Sequence, residues 1–151
     1  LISVQGAVTT SFLPIRLGLE KQDASALTSL VARHAFFVMG VTALAVAAGG
    51  QMLILVLFGK QFLPAYSAVV FLLPGIIALS VHDLLKFDLY GRNLPELVSW
   101  AAASSLICNL VLNFLLIPRY GINGAAISSS ISYGLATLIL LRRFHALTGT
   151  P

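Results

Sequence analysis

A chain of 151 residues with 58% apolar residues, 9% charged residues and a mean hydropathy of +0.97 lacks the polar groups that a water-soluble domain needs to cover its surface. The net charge of +4 does not mark a nucleic-acid partner, because the basic residues fall in short segments between apolar runs and do not cluster on one polar surface. Four windows of 21 to 25 residues (35–59, 61–81, 97–118 and 120–141) hold no charged residue and no histidine, and each is long enough as a helix for the roughly 30 Å apolar core of a bilayer.

In chain order, residues 1–13 read as the end of a truncated transmembrane span, since the chain opens on apolar residues without a methionine, and Pro14 closes it. Residues 14–34 carry Arg16, Glu20, Lys21, Asp23 and Arg33, with Leu17, Leu27, Leu30 and Val31 between them. That spacing predicts a cytoplasmic amphipathic connector at the membrane interface, with a plain solvated loop as the alternative. The first full span covers 35–58 and is broken in character by Gly49-Gly50. After a short link at 59–63, the second starts at Pro64, a residue suited to a helix's first turn, and runs to about Tyr90. The third covers 94–117, residues 118–121 make a tight turn, and the fourth runs from Ile122 to about Leu141. Residues 35–145 thus form a four-span membrane module, and 146–151 a short cytoplasmic tail. The expected fold class is an all-α bundle of transmembrane helices.

Charge gives the orientation. The connecting segments hold, in turn, Arg16, Lys21 and Arg33; Lys60; Lys86 and Arg92; Arg119; and Arg142 with Arg143. The alternation separates a basic side from a poor one, and basic residues stay cytoplasmic. The first connector, the link after the second span and the carboxy-terminus are therefore expected inside, with Lys60 and Arg119 outside.

Several polar residues within the spans have a packing explanation. Asn109 and Asn113 lie one turn apart on the third span, and Gly124 and Ser128 form a small-xxx-small pair on the fourth, beside Ser129, Ser130 and Ser132. Small and amide side chains at such spacing hold helices together. The second span differs. Pro74-Gly75 falls near its middle and predicts a hinge, because proline removes a backbone donor. His82, Asp83, Lys86 and Asp88 follow, with Arg92 beyond. Asp83 and Lys86, spaced i,i+3, can pair on one face. Ionisable groups in a span face a cavity, a partner or water. Asp83, Lys86, Asp88 and Arg92 are therefore candidates for lining the cytoplasmic mouth of a translocation pathway, unless the span ends near Val81 and they sit in the headgroup layer.

No enzyme chemistry stands out. There is no metal-ligand cluster, no phosphate-binding loop and no nucleophile paired with a base, so no metal, cofactor or catalytic residue is expected. Cys108 stands alone in a span, and His34, His82 and His145 fall at span ends, where a lone histidine is an interfacial residue.

The segment Phe58-Gly59-Lys60-Gln61-Phe62-Leu63-Pro64-Ala65-Tyr66 is similar to a loop and helix start in the polysaccharide (O-antigen, or lipid-linked oligosaccharide) flippases. So are Leu73-Pro74-Gly75-Ile76 and Tyr90-Gly91-Arg92-Asn93 followed by Pro95. The stretch NLVLNFLLIPRYGINGAAI beginning at Asn109 resembles the end of that family's carboxy-terminal module, within the multidrug/oligosaccharidyl-lipid/polysaccharide exporter superfamily. The resemblance implies two lobes of about six helices around a central cavity, of which this chain would supply the last four. It also implies a lipid-linked oligosaccharide of the undecaprenyl-diphosphate type as substrate, moved across the inner membrane for surface polysaccharide synthesis, with polysaccharide-assembly membrane proteins as neighbours. A related exporter of drugs or of the peptidoglycan precursor is the nearest alternative. A polysaccharide polymerase or ligase is a more distant one, since the outside links are too short to carry catalytic residues.

Overall fold

The computed structural model describes residues 21–148, with the side chains of residues 30, 31 and 33–147. The expected truncated span at 1–13, the start of the connector with Arg16, and residues 149–151 of the tail lie outside the described residues.

Four long helices make up this part of the chain: α1 (Lys21–Phe58), α2 (Ala65–Gly91), α3 (Pro95–Tyr120) and α4 (Ile122–Thr148), with one 3-10 turn at Lys60–Phe62 between the first two. Among the described residues there is no strand, and each of the four helices contains a segment of 26 or 27 residues apolar enough to cross a membrane. The fold is an all-α bundle. It is more continuous than the sequence predicts. Residues 21–34, expected as a separate connector, are the opening turns of α1, and Gly49-Gly50 does not interrupt that helix. The expected turn at 118–121 shrinks to Gly121, since Pro118 and Arg119 are still helical, and α4 runs on into the expected tail.

The links are short because each helix end has its own stop. Gly59, at φ 87°, ends α1 and directs its N–H back to the carbonyls of Ile54 and Leu55. At the end of α2, Asn93 takes the left-handed conformation with φ 60°, its N–H bonding Tyr90 O and the Leu94 N–H bonding Leu89 O, both at 3.0 Å. That is a Schellman cap with asparagine in the place usually held by glycine. Leu94 then packs onto the cluster that contains Leu89, and Pro95 starts α3. Gly121, at φ 55°, turns the chain into α4. A Cβ on Gly124 would strike the Leu116 carbonyl, so this hairpin closes only around a glycine.

In space the helices stand in the order α1, α2, α4, α3, with α2 and α4 sharing the widest interface and α2 and α3 barely meeting. Residues 55 to 59 apart in sequence lie opposite each other across the α2–α4 seam, which makes these two helices parallel. Because lipid is as apolar as leucine, such a seam is held by close packing and hydrogen bonds. It is stitched at three levels: Ser67 Oγ donates to Asn123 Oδ1 at 2.8 Å, Ser130 Oγ to Phe71 O at 2.6 Å, and Thr137 Oγ1 to Ala78 O at 2.9 Å. α3 is tied to α4 by Ser105 Oγ donating to Ser132 O at 2.7 Å. Tyr66 on α2 lies against Gly50 and donates its hydroxyl to Ala47 O on α1. The outer faces of α1 and α3 remain bare and apolar, from Phe37 and Leu44 to Trp100 and Phe114, the last 83% exposed.

The topology collects Arg33, Arg92, Arg142 and Arg143 at one end of the bundle, and leaves Lys60 and Arg119 at the other. The main apolar core (Leu85, Leu89, Val98, Ala101, Leu140 and Phe144) sits at the basic end, where α2 stops, α3 starts and α4 finishes.

Candidate functional site

The ionisable residues of α2 separate into two groups. In the first, Lys86 Nζ donates to Asp83 Oδ1 at 2.7 Å, and His82 Nδ1 lies 3.4 Å from the same oxygen. Helical spacing puts Lys86 one turn below Asp83, as the i,i+3 register predicts, and both side chains are about a quarter exposed. The Lys86 ammonium also stands 5.4 Å from the centre of the Phe87 ring.

In the second group, Arg92 Nε donates to Asp88 Oδ2 at 2.5 Å, with Asp88 fully buried and Arg92 partly buried. The Arg92 guanidinium lies 5.9 Å from the centre of the Phe144 ring on α4. This pair is therefore enclosed within the basic end of the bundle, next to its core. The four residues do not form one line of charge. Asp83 and Lys86 face partly open space, and Asp88 and Arg92 join helix ends.

Above them, α2 and α3 diverge over α4 and leave a groove of about 360 Å³. His82, Ser105, Asn109, Ser129, Ser132 and Tyr133 supply its polar residues, and Leu79 and Leu106 part of its apolar wall. The sequence places His82 at the end of a span; in the structure it lies within α2 and is buried by the neighbouring helices. It is 9% exposed, nine residues before Gly91, which puts it about 14 Å along α2 from that helix's end. Its Nε2 is buried with no hydrogen-bond partner among the described residues. A second groove, floored by Ala126 and Ser129 between α2 and α4, continues toward the opposite end, and Ser129 lines both.

The Pro74-Gly75 pair lies in the α2–α4 seam. α2 passes through Pro74 as one helix. Ser130 Oγ accepts the Gly75 N–H at 3.2 Å while donating to Phe71 O, the two groups that a regular helix joins to each other. A Cβ on Gly75 would come within 2.5 Å of Ser130 Cα, so the two helices touch backbone to backbone here. In the sequence Ser130 is one of a serine run. The signal that singles it out is the proline on another helix, whose ring crowds the preceding turn and loosens the backbone bonds beside it.

Of the four residues expected to pack helices, Gly124 sits against the α3 backbone, and Ser128 is fully buried with its hydroxyl bonded to Gly124 O at 2.8 Å. Asn113 Nδ2 donates to Asn109 Oδ1 at 2.8 Å, so the two amides bond along α3. Asn109 also lines the groove.

No protein-family model matches the chain, and no solved structure does. Over 84 residues it is 33% identical to a protein of Haloferax volcanii described as a probable low-salt glycan biosynthesis flippase. The matched stretch covers 56% of this chain but 18% of that protein, well under two thirds of its length. This similarity and the four membrane-length helices make the chain part of a multi-pass membrane protein.

Proposed function

We propose that the protein carrying this chain is a flippase that moves a lipid-linked glycan across the bilayer, a transporter and not an enzyme. The observation that carries the reading is the 33% identity over 84 residues to a protein described as a probable glycan biosynthesis flippase, in a chain whose described helices suit a membrane bundle. In this reading the substrate is an oligosaccharide on an undecaprenyl-diphosphate-type lipid, destined for surface polysaccharide. The membrane is the inner (plasma) membrane, and the basic end of the bundle faces the cytoplasm along with the carboxy-terminus. The four helices are the last four of the second lobe of a two-lobed exporter.

A glycan headgroup does not cross some 30 Å of hydrocarbon unaided, so a carrier must offer polar groups at depth and change which side they face. Asp83 and Lys86 suit the inward mouth: they are partly open, and Lys86 can meet an anionic diphosphate while Asp83 orients it. Asp88 and Arg92 instead hold the bundle end together. Pro74 and Gly75 serve as the hinge, with Ser130 bridging the helix groups beside the proline.

Deleting the gene in its native host and complementing it with a plasmid copy tests this. Loss of surface glycan with accumulation of its lipid-linked precursor, both reversed by the plasmid, is the expected result. Unchanged glycan in the deletion strain excludes the role.

A further inference from the structure

The four helices form two hairpins. α1 and α2 turn at residues 59–64, and Tyr66 on α2 donates its hydroxyl to Ala47 O on α1. α3 and α4 turn at Gly121, with Ser105 Oγ donating to Ser132 O between them and Gly124 tight against the Leu116 carbonyl. The covalent link between the hairpins, residues 92–94, lies at the basic end beside the core that contains Leu85, Leu89, Leu140 and Phe144. Arg92 adds its bond to Asp88 and its place against the Phe144 ring. Away from that end, the hairpins meet mainly along the α2–α4 seam.

The hydroxyls that stitch this seam have partners at home. Thr137 Oγ1 lies 2.9 Å from Ala78 O across the seam and 2.8 Å from Tyr133 O on its own helix. Ser67 Oγ lies 2.8 Å from Asn123 Oδ1 across the seam and 2.9 Å from Pro64 O at the start of its own helix. A hydroxyl carries one proton, so either bond across the seam can pass to the home acceptor by rotation of the hydroxyl alone. Asn123, second in α4, is then at a helix end, where water serves its amide.

Ser130 achieves the same by exchange. If it withdraws, the Gly75 N–H and Phe71 O stand four residues apart in one helix and close on each other. Its hydroxyl can turn to the carbonyl one turn back, as Ser128 does with Gly124 O and Ser132 with Ser128 O on the same helix. Parting the seam therefore strands no polar group in hydrocarbon, the penalty that otherwise holds such bonds closed. Packing is also incomplete toward the end opposite the core, where a groove of about 340 Å³ lies between Ala68 and Leu72 of α2 and Ala126 and Ser129 of α4.

We propose that the α2–α4 seam is a joint. The two hairpins swing apart at the end opposite the core, about a pivot formed by residues 92–94 and the core beside them, and hand their hydrogen bonds back to their own helices as they part. The joint goes beyond the flippase reading and does not rest on it.

Distances between spin labels test it on the full-length protein in nanodiscs, in a cysteine-free background. One pair, Ala65→Cys with Ile122→Cys, spans the seam at its far end; the other, Tyr90→Cys with Arg143→Cys, spans it beside the pivot. The expected result is two distances, one short and one long, for the first pair and a single distance for the second. Thr137→Val is then added to the first pair, removing a shared hydroxyl and keeping its shape. Because the bond is handed over and not lost on opening, the ratio of long to short should stay within about threefold, the worth of one hydrogen bond between membrane helices. Ser67→Ala gives the same reading at the other shared hydroxyl if the valine variant does not accumulate. A single distance for the first pair, two distances for both pairs alike, or a long fraction raised by more than about threefold in the variant would each overturn the proposal. The distances are read without transport, so a joint that opens in a protein moving no glycan would contradict the flippase reading and leave the joint standing.

Discussion

Ser130 on α4 and Gly75 on α2 share a hydrogen bond beside the proline of α2, and the same Ser130 hydroxyl donates to the carbonyl that Gly75 would bond in an ordinary helix. Two parallel helices are thereby joined through the backbone of one of them.

That junction predicts unequal responses to two small substitutions. Ser130→Ala removes the bridge and should lower stability by about 1–2 kcal/mol, the scale of a hydrogen bond between membrane helices. Gly75→Ala adds a methyl where there is no room and should cost more, with overpacking of about 1–3 kcal/mol added to the disturbed bridge. Thermal unfolding in detergent measures both. A neutral Gly75→Ala variant would mean that the seam is looser than described.

The two ion pairs of α2 should also behave differently. Asp88→Ala removes the fully buried member of its pair, leaves the partly buried Arg92 without that carboxylate, and should destabilise by more than about 1 kcal/mol. Lys86→Ala, from a pair about a quarter exposed, should cost less than about 1 kcal/mol while impairing export. Equal losses of stability, or normal export by Lys86→Ala, would contradict the division of roles.

How much of this was legible in the sequence depends on the scale. Four spans followed from four uncharged windows, because the bilayer fixes both length and apolarity. The i,i+3 pairing of Asp83 with Lys86 followed from helix geometry. What the sequence could not rank was burial: His82, one residue from Asp83, stands at the edge of an apolar window, and α2 continues to Gly91 and packs it inside the bundle. Nor does periodicity say which helices touch. Asn109 and Asn113 share a face as expected, but they bond each other, and it is Asn123, Ser130 and Thr137 that meet α2. Continuity through Gly49-Gly50 was equally hidden: the helix runs unbroken, and the Tyr66 ring from another helix lies against Gly50.

The cap of α2 gives a local check. Asn93 holds φ at 60°, which glycine adopts freely and a β-branched residue resists. Asn93→Gly should leave the melting temperature nearly unchanged, and Asn93→Val should lower it by several degrees. A harmless valine would argue against the left-handed cap.

Orientation can be read by labelling single cysteines, in a Cys108→Ser background, with an impermeant thiol reagent added to intact cells. A cysteine at position 60 should react, and one at position 91 should react only after permeabilisation. The reverse pattern would invert the bundle.

The most direct measurement is the movement of the lipid itself. The purified protein is reconstituted into sealed vesicles with a fluorescent lipid-linked oligosaccharide in both leaflets, and an impermeant quencher is added outside. Quenching that proceeds past the outer-leaflet half at a rate proportional to protein content, and is slowed by Lys86→Ala, is the expected result. Quenching that stops at that half with active, correctly folded protein present would contradict the assignment of this chain to a glycan flippase.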